Sequence, residues 1–155
     1  MATFEIAFDT PKFGWLPITL TLDDQSFTFD ASGVLNDPVT ELTVAVLKLL
    51  DGPTTEHIRF WLEPLWHLLA FRTDGLAQTE IVFSYLADED QQNPRLVVST
   101  TANTTSLCRL VLTRLRSMHA AAGADHYPSA ECWGKEFPDD RIAKAFDRIR
   151  IQSDG

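Results

Sequence analysis

Apolar and polar side chains alternate in the N-terminal part of the chain. Residues 4–8 alternate, and residues 16–22 alternate again before a turn at Asp23 and Asp24. A period of two is typical of a strand with one buried face. Because residues 26–30 continue the pattern after the turn, the sequence predicts three consecutive antiparallel strands.

A change to helical spacing follows the third strand. Asn36 or Asp37 can cap a helix that Pro38 opens, because a proline at the first helical position loses no backbone hydrogen bond. Gly52 and Pro53 follow the last periodic residue and end the helix. Its apolar stripe, spaced three and four residues apart, consists of Val39, Leu42, Val46, Leu49 and Leu50.

A second group of alternating segments predicts four more strands. Ile58, Phe60 and Leu62 are expected to face the core, which places Trp61 and Glu63 on the opposite side of that strand. The other strands are expected over residues 66–72, 79–85 and 96–99.

Two helices are predicted in the last third of the chain. The first can be capped by Thr104, Thr105 or Ser106, and the second begins at Pro138. The predicted fold class is therefore α+β, in a single domain over residues 1–155. It comprises an antiparallel sheet of five to seven strands, with one central helix and two C-terminal helices packed on it.

Charge is distributed unevenly along the chain. The net charge is −9; residues 1–100 contain fifteen acidic and five basic side chains, whereas the remainder contains seven and eight. An acidic face on a compact domain attracts a basic partner and repels nucleic acid and anionic membranes. We find no signal segment and no membrane-length apolar run. A cytoplasmic protein that binds neither nucleic acid nor membrane is expected.

Candidate catalytic and metal-binding groups are few. His119, His126 and Cys132 follow one another at spacings of seven and six residues, unlike the close ligand pairs of zinc sites. Cys132 with His126, or Cys108 with His119, are the candidate nucleophilic pairs, although Cys108 lies on a predicted apolar helix face. We find no phosphate-binding loop, nucleophile elbow or metalloprotease motif. The sequence predicts no catalytic residue, metal or cofactor, and hence no enzyme activity.

One tryptophan and several acidic residues indicate a protein-binding surface. Trp61 lies close to Glu63 on the face turned away from the predicted core, and aromatic residues are common anchors of protein interfaces. In a second interpretation, the loop over residues 124–137 or the last helix covers that face. Acids at turns are commonly solvated, yet they also speed association with a basic partner. The predicted partner-binding residues are Asp23, Asp24, Trp61, Glu63, Asp88, Glu89 and Asp90.

Three short segments resemble known proteins. Residues 14–20 (GWLPITL), 36–42 (NDPVTEL) and 60–64 (FWLEP) resemble a group of small uncharacterised bacterial α+β proteins, and the similarity covers residues 13–85. That resemblance implies a shared fold. In size, acidity and lack of catalytic motifs, the chain also resembles immunity proteins of bacterial toxin systems, including contact-dependent growth inhibition. This second resemblance implies a protein that binds and neutralises a toxin.

Two functions therefore stay open at the level of the sequence. In the first, the chain is an immunity protein whose acidic surface binds a basic toxin domain, such as a nuclease, and blocks it. In the second, it is a small-molecule-binding domain or enzyme with a pocket between the sheet and the helices. A toxin gene directly upstream would favour the first.

Overall fold

The computed structural model describes residues 2–86 and 95–154, which form seven strands and three helices. Neighbouring strands are antiparallel, and their order in the sheet follows their order in the chain. The predicted α+β class, with one central helix and two C-terminal helices on an antiparallel sheet, is confirmed. The elements are β1 (Phe4–Phe8), β2 (Trp15–Leu22), β3 (Gln25–Ser32), α1 (Pro38–Asp51), β4 (Thr54–Trp61), β5 (Trp66–Thr73), β6 (Gln78–Leu86), β7 (Arg95–Asn103), α2 (Thr104–Ala122) and α3 (Asp139–Asp154).

The sheet is almost divided between β3 and β4. These strands pair only at Ser32 and Trp61, whereas the other neighbouring strands pair over five to nine residues. Side chains take the place of a strand along part of the β4 edge. The Asn36 amide donates to the Arg59 carbonyl oxygen at 2.7 Å, and the Arg59 backbone N–H donates to the Glu41 carboxylate at 3.1 Å. The segment before α1 therefore satisfies backbone groups that a fuller β3–β4 ladder would have used.

Aromatic rings join the two halves of the sheet from the inside. Phe29 of β3 lies 5.2 Å from Phe60 of β4, and Phe27 lies 5.1 Å from Phe83 and 4.4 Å from Tyr85 of β6, measured between ring centroids. Because β3 and β6 are not neighbours in the sheet, these contacts require the sheet to curl over its own inner face. Helix α1 packs against β4, α2 and α3, so the helices fill the rest of the concave side.

Two of the three predicted helix starts have a capping side chain in the structure. The Asp37 carboxylate accepts from the backbone N–H of Val39 at 3.1 Å, and Pro38 is the first helical residue, as predicted. The predicted cap of α2 is wrong, because Asn103 accepts from the Ser106 N–H at 3.0 Å. Thr104 lies inside the helix, where its hydroxyl lies 2.7 Å from that of Thr79 on β6.

The long C-terminal loop is fixed onto the connection between β3 and α1. The buried Trp133 ring packs on Gly33, where an added Cβ would lie 3.1 Å from the ring. The Trp133 indole N–H donates to the Asp37 carboxylate at 3.1 Å. The Lys135 ammonium donates to the Gly33 carbonyl and, at 3.0 Å, to that of Asn36. This loop therefore supports the end of the sheet at which β3 meets β4.

None of the helices in the described ranges is long and apolar enough to cross a membrane.

Candidate functional site

Both cysteines and His119 are placed for packing rather than for chemistry. Cys108 and Cys132 are buried; burial raises the pKa of Cys108 to about 12 and raises that of Cys132 as well. The thiolate is the reactive form, so neither thiol is activated as a nucleophile. His119 stacks on Phe137, with 3.9 Å between ring centroids. In the part of the chain that the structure describes, no three His, Cys, Asp or Glu side chains are grouped as metal ligands.

The predicted acid pair lies at the β2–β3 turn, which we call the turn end of the hairpin (Asp23 and Asp24). Asp23 has a positive φ of 56°, as tight hairpin turns require. Its carboxylate accepts from the Thr3 backbone N–H at 2.9 Å and from the Thr100 hydroxyl at 2.8 Å. These two hydrogen bonds, that from Thr3 first, lower the pKa of Asp23. Asp23 therefore joins the start of β1 to β7, whereas Asp24 is exposed.

Trp61 and Glu63 lie at the opposite end of the same hairpin, which we call the tryptophan end. Trp61 pairs with Ser32, the last residue of β3, and Ser32 pairs with Trp15, the first residue of β2. Seven residues of strand separate this end from the turn end, or about 23 Å at the usual rise. The structure thus does not bring the predicted residues into one patch. Asp88, Glu89 and Asp90 lie outside the described residues.

Strand register places three tryptophans on one face of the sheet. Trp15 pairs with Ser32, Ser32 with Trp61, and Trp61 with Trp66, across β2, β3, β4 and β5. Residues directly opposite one another on adjacent strands share a face, so these four residues form one line, which we call the tryptophan row. The rings of Trp61 and Trp66 lie 4.4 Å apart between centroids. Trp15 is 36% exposed, and Trp61 and Trp66 are half-buried.

A carboxylate lies at the centre of the tryptophan row. Glu63 follows β4 with a positive φ of 54°, a conformation that few residues other than glycine adopt. Its carboxylate accepts a hydrogen bond from the Ser32 hydroxyl at 3.1 Å. Because Ser32 lies between Trp15 and Trp61 in the row, this bond holds the carboxylate between two tryptophans. Glu63 is exposed, and no ion pair to it is present among the described residues.

The last ring of the row already carries a cation. The Arg59 guanidinium lies over the Trp66 ring, 5.4 Å from the ring centroid, and its Nη2 lies 3.8 Å from the Glu41 carboxylate. A guanidinium over an indole face is a favourable cation–π arrangement. The rings of the row are therefore suited to guanidinium groups, and Trp66 already contacts one from the same chain, that of Arg59.

A groove of about 930 Å³ opens beside the tryptophan row. Its apolar lining includes Phe13, which is 69% exposed, and Leu62. The prediction that Leu62 faces the core is wrong, because β4 ends at Trp61 and Leu62 begins the turn to β5, where it is half-buried and lines the groove. Val34 and Leu35, 74% and 60% exposed, follow Ser32 at the same end. The lining residues are Thr10, Lys12, Phe13, Trp15, Pro17, Phe29, Asp30 and Leu62.

The turn that carries Phe13 is held in place from below. The Phe13 N–H donates to the Glu131 carbonyl at 3.0 Å, and the Gly14 N–H donates to that of Cys132 at 2.8 Å. The Gly33 N–H in turn donates to the Gly14 carbonyl at 2.9 Å. Phe13 has a positive φ of 50°, so this backbone is strained and is fixed by its surroundings. Exposed side chains on a fixed backbone form a preorganised binding surface, which lowers the entropy lost on binding.

Sequence reasoning found only part of this surface. Trp61 and Glu63 were singled out because they lie among acids opposite the predicted core face. Trp15, Trp66 and the groove were missed, since they join the site through strand pairing that no local pattern encodes. Trp61 is half-buried, its ring lies 4.4 Å from that of Trp66, and the loop over residues 124–137 packs near Gly33. The second interpretation, in which that loop or the last helix covers the face of Trp61, stays a prediction.

A smaller cavity of about 390 Å³ lies between the end of α1 and the start of α2. Its position corresponds to the pocket between sheet and helices that the second sequence hypothesis requires.

Comparisons with protein-family models, with curated proteins and with solved structures find no match for this chain.

Proposed function

We propose that this chain is an inhibitor of the immunity type, which binds a basic protein partner through the tryptophan row and the adjoining groove. The observation that carries the proposal is the row itself: three tryptophans on one face with a carboxylate between them. Tryptophan is enriched among the residues that contribute most to binding in protein interfaces. The exposed apolar residues beside the row extend this surface beyond an isolated aromatic contact.

Charge favours a basic partner. Asp9, Asp30 and Glu63 are exposed at the tryptophan end, and no ion pair to them occurs within the described ranges. With a net charge of −9, the chain attracts a cationic surface and accelerates the encounter with it. A toxin domain that acts on nucleic acid has such a surface, since its substrate is a polyanion. A nuclease is therefore the proposed partner class.

The direct test is co-expression with the products of the genes that neighbour this one, a basic toxin domain being the expected partner. We expect a stable complex in gel filtration and protection of cells that produce the toxin. Leu76→Ala serves as the matched control, because Leu76 is 73% exposed but lies in the turn between β5 and β6, away from the row. The Leu76→Ala variant should bind the partner with the same affinity as the unmodified chain. The proposal is overturned if the folded, unmodified chain neither binds nor protects.

The second candidate, a small-molecule-binding domain, has two cavities in its favour: that of about 390 Å³ near the end of α1 and the larger groove beside the tryptophan row. The groove volume of about 930 Å³ lies within the range of small-molecule sites. This alternative would be supported if the chain binds no toxin domain and a ligand screen finds a small molecule that binds in the groove.

A further inference from the structure

We infer that the space between Trp15 and Trp61, above the Glu63 carboxylate, is a binding site for an arginine side chain of the partner. The inference deepens the proposed function and rests on it for the source of the arginine. Its chemical basis does not depend on the partner, because the recognition elements all belong to this chain.

Three features of the site match a guanidinium. The indole faces of Trp15 and Trp61 attract a planar cation, and stacking on them is favourable. The Glu63 carboxylate can accept two parallel N–H bonds, the geometry in which arginine binds carboxylates. Its hydrogen bond from Ser32, at 3.1 Å, fixes the carboxylate from below. A cation placed there would meet a negative charge and two π faces together.

The chain itself shows that a guanidinium fits this surface. Arg59 lies over Trp66, the next ring of the row, at 5.4 Å, with the Glu41 carboxylate 3.8 Å away. A ring, a guanidinium and a carboxylate are thus already combined one strand further along. At the other end of the row, Trp15 and Glu63 offer the same ring and carboxylate, and no cation is bound there among the described residues.

The charged and apolar residues that line the adjoining groove also favour an arginine of the partner. Asp30 lines the adjoining groove with Trp15, so a second carboxylate lies near the site. Lys12 also lines the groove and forms a β-bridge with Trp15, so one cation of the chain lies next to the Trp15 end of the row. No ion pair or cation–π contact of Lys12 occurs within the described ranges. The apolar groove walls can then receive a large apolar residue next to the arginine in the partner's sequence.

The test uses N-acetyl-arginine amide as the probe and N-acetyl-citrulline amide as its uncharged counterpart. Binding is followed by NMR of the four indole N–H signals, with roughly millimolar affinity expected for so small a ligand. The arginine probe should shift the Trp15 and Trp61 signals. Trp133 is an internal control, because it is buried and bonded to Asp37. Citrulline amide should bind at least about tenfold more weakly, since it lacks the charge.

Variants test whether arginine binds at this site specifically or is attracted only by the net negative charge of the chain. Glu63→Gln keeps an oxygen that can accept from Ser32 but removes the charge, and it should weaken the arginine probe roughly tenfold. Asp24→Asn removes the same charge at the turn end and should change the affinity less than twofold. Trp15→Ala, at the exposed end of the row, is a second variant and should also weaken the probe. Unfolding curves establish that each variant is folded.

The outcomes distinguish the site from the function. Equal binding of arginine and citrulline amides, or an unchanged affinity in folded Glu63→Gln, overturns the inference. If the toxin complex nevertheless forms, the proposed function survives that result. Selective arginine binding that is lost in Glu63→Gln supports the site, and it does so even if no toxin complex is found and the proposed function fails.

Discussion

The two ends of the β2–β3 hairpin use their polar groups in different ways. At the turn end, the Asp23 carboxylate is bonded to Thr3 and Thr100 within the chain. At the tryptophan end, the Glu63 carboxylate accepts one hydrogen bond within the described ranges, from Ser32, and the side chain is exposed. Both residues have positive φ angles. The comparison shows that strained backbone and an acidic side chain can serve stability at one end and, in the proposed function, recognition at the other.

The largest effect is expected from removing the packing beneath the tryptophan end. Trp133→Ala deletes a buried ring that packs on Gly33 and bonds to Asp37. We expect a loss of about 3–5 kcal/mol in the free energy of unfolding, as for other buried aromatic truncations. Urea denaturation with an unchanged slope measures it. A loss below about 1 kcal/mol would show that the loop does not support this end.

The next effect concerns binding at the tryptophan end. Trp61→Ala should weaken the complex with the toxin domain by about 2 kcal/mol or more, mainly through faster dissociation. Asp30→Asn, on the rim, should instead slow association modestly, and most at low salt. Surface plasmon resonance at two salt concentrations separates the two rates. Salt-independent association, or an effect of Leu76→Ala equal to that of Trp61→Ala, would contradict this division of roles.

A smaller and opposite effect is expected beneath the same end. The Tyr127 hydroxyl is buried and, within the described ranges, has no hydrogen-bond partner. Burial, with the nearby Asp37 charge, raises the pKa of Tyr127, so the hydroxyl stays neutral. Tyr127→Phe removes this desolvated group and should raise stability by about 1 kcal/mol. A decrease of similar size in thermal or urea unfolding would show that the hydroxyl is hydrogen-bonded.

The smallest effect is expected at the turn end and depends on pH. Because the pKa of Asp23 is lowered in the folded chain, its contribution to stability is present above the ordinary value of 3.8 and is lost as pH falls through the folded value. Asp23→Asn should therefore lower the melting temperature at neutral pH. In acid, the melting temperatures of the variant and of the unmodified chain should become equal. Asp24→Asn is the control and should show no such pH-dependent difference. A constant gap between the Asp23→Asn and unmodified curves at all pH values would contradict the assignment.

Local signals predicted most of the secondary structure. Asp37 and Pro38 begin α1 and Gly52 follows its end, as the capping rules require, because these residues act on their immediate backbone. The alternating patterns also predicted the strands, although β4 begins at Thr54 and β7 continues to Asn103, beyond the clearest alternation. Polar residues extend both strands because pairing with β5 and β6 satisfies their backbone groups.

The candidate site was predictable only in part, because strand pairing, which local patterns do not encode, brings its residues together. Trp61 and Glu63 could be placed on an outer face from the alternation of one strand. Trp61 and Trp15 lie in the same row only because Ser32 and Trp61 pair, and this is the single residue pair between β3 and β4. That pair in turn depends on the segment from Asn36 to Glu41, which occupies the neighbouring edge of β4. Such a register is set by contacts far apart in sequence.

The α+β class, the boundaries of α1 and the acidic character of the chain follow from the sequence alone, because helix caps, side-chain periodicity and charge are local properties. The tertiary structure sets which acids bond within the chain and which remain exposed. Asp23 meets Thr100 across 77 residues of sequence, and Ser32 brings Glu63 between two tryptophans from separate strands. These arrangements follow from how the curled sheet closes around its core, since only packing of the whole chain sets the distances between remote strands.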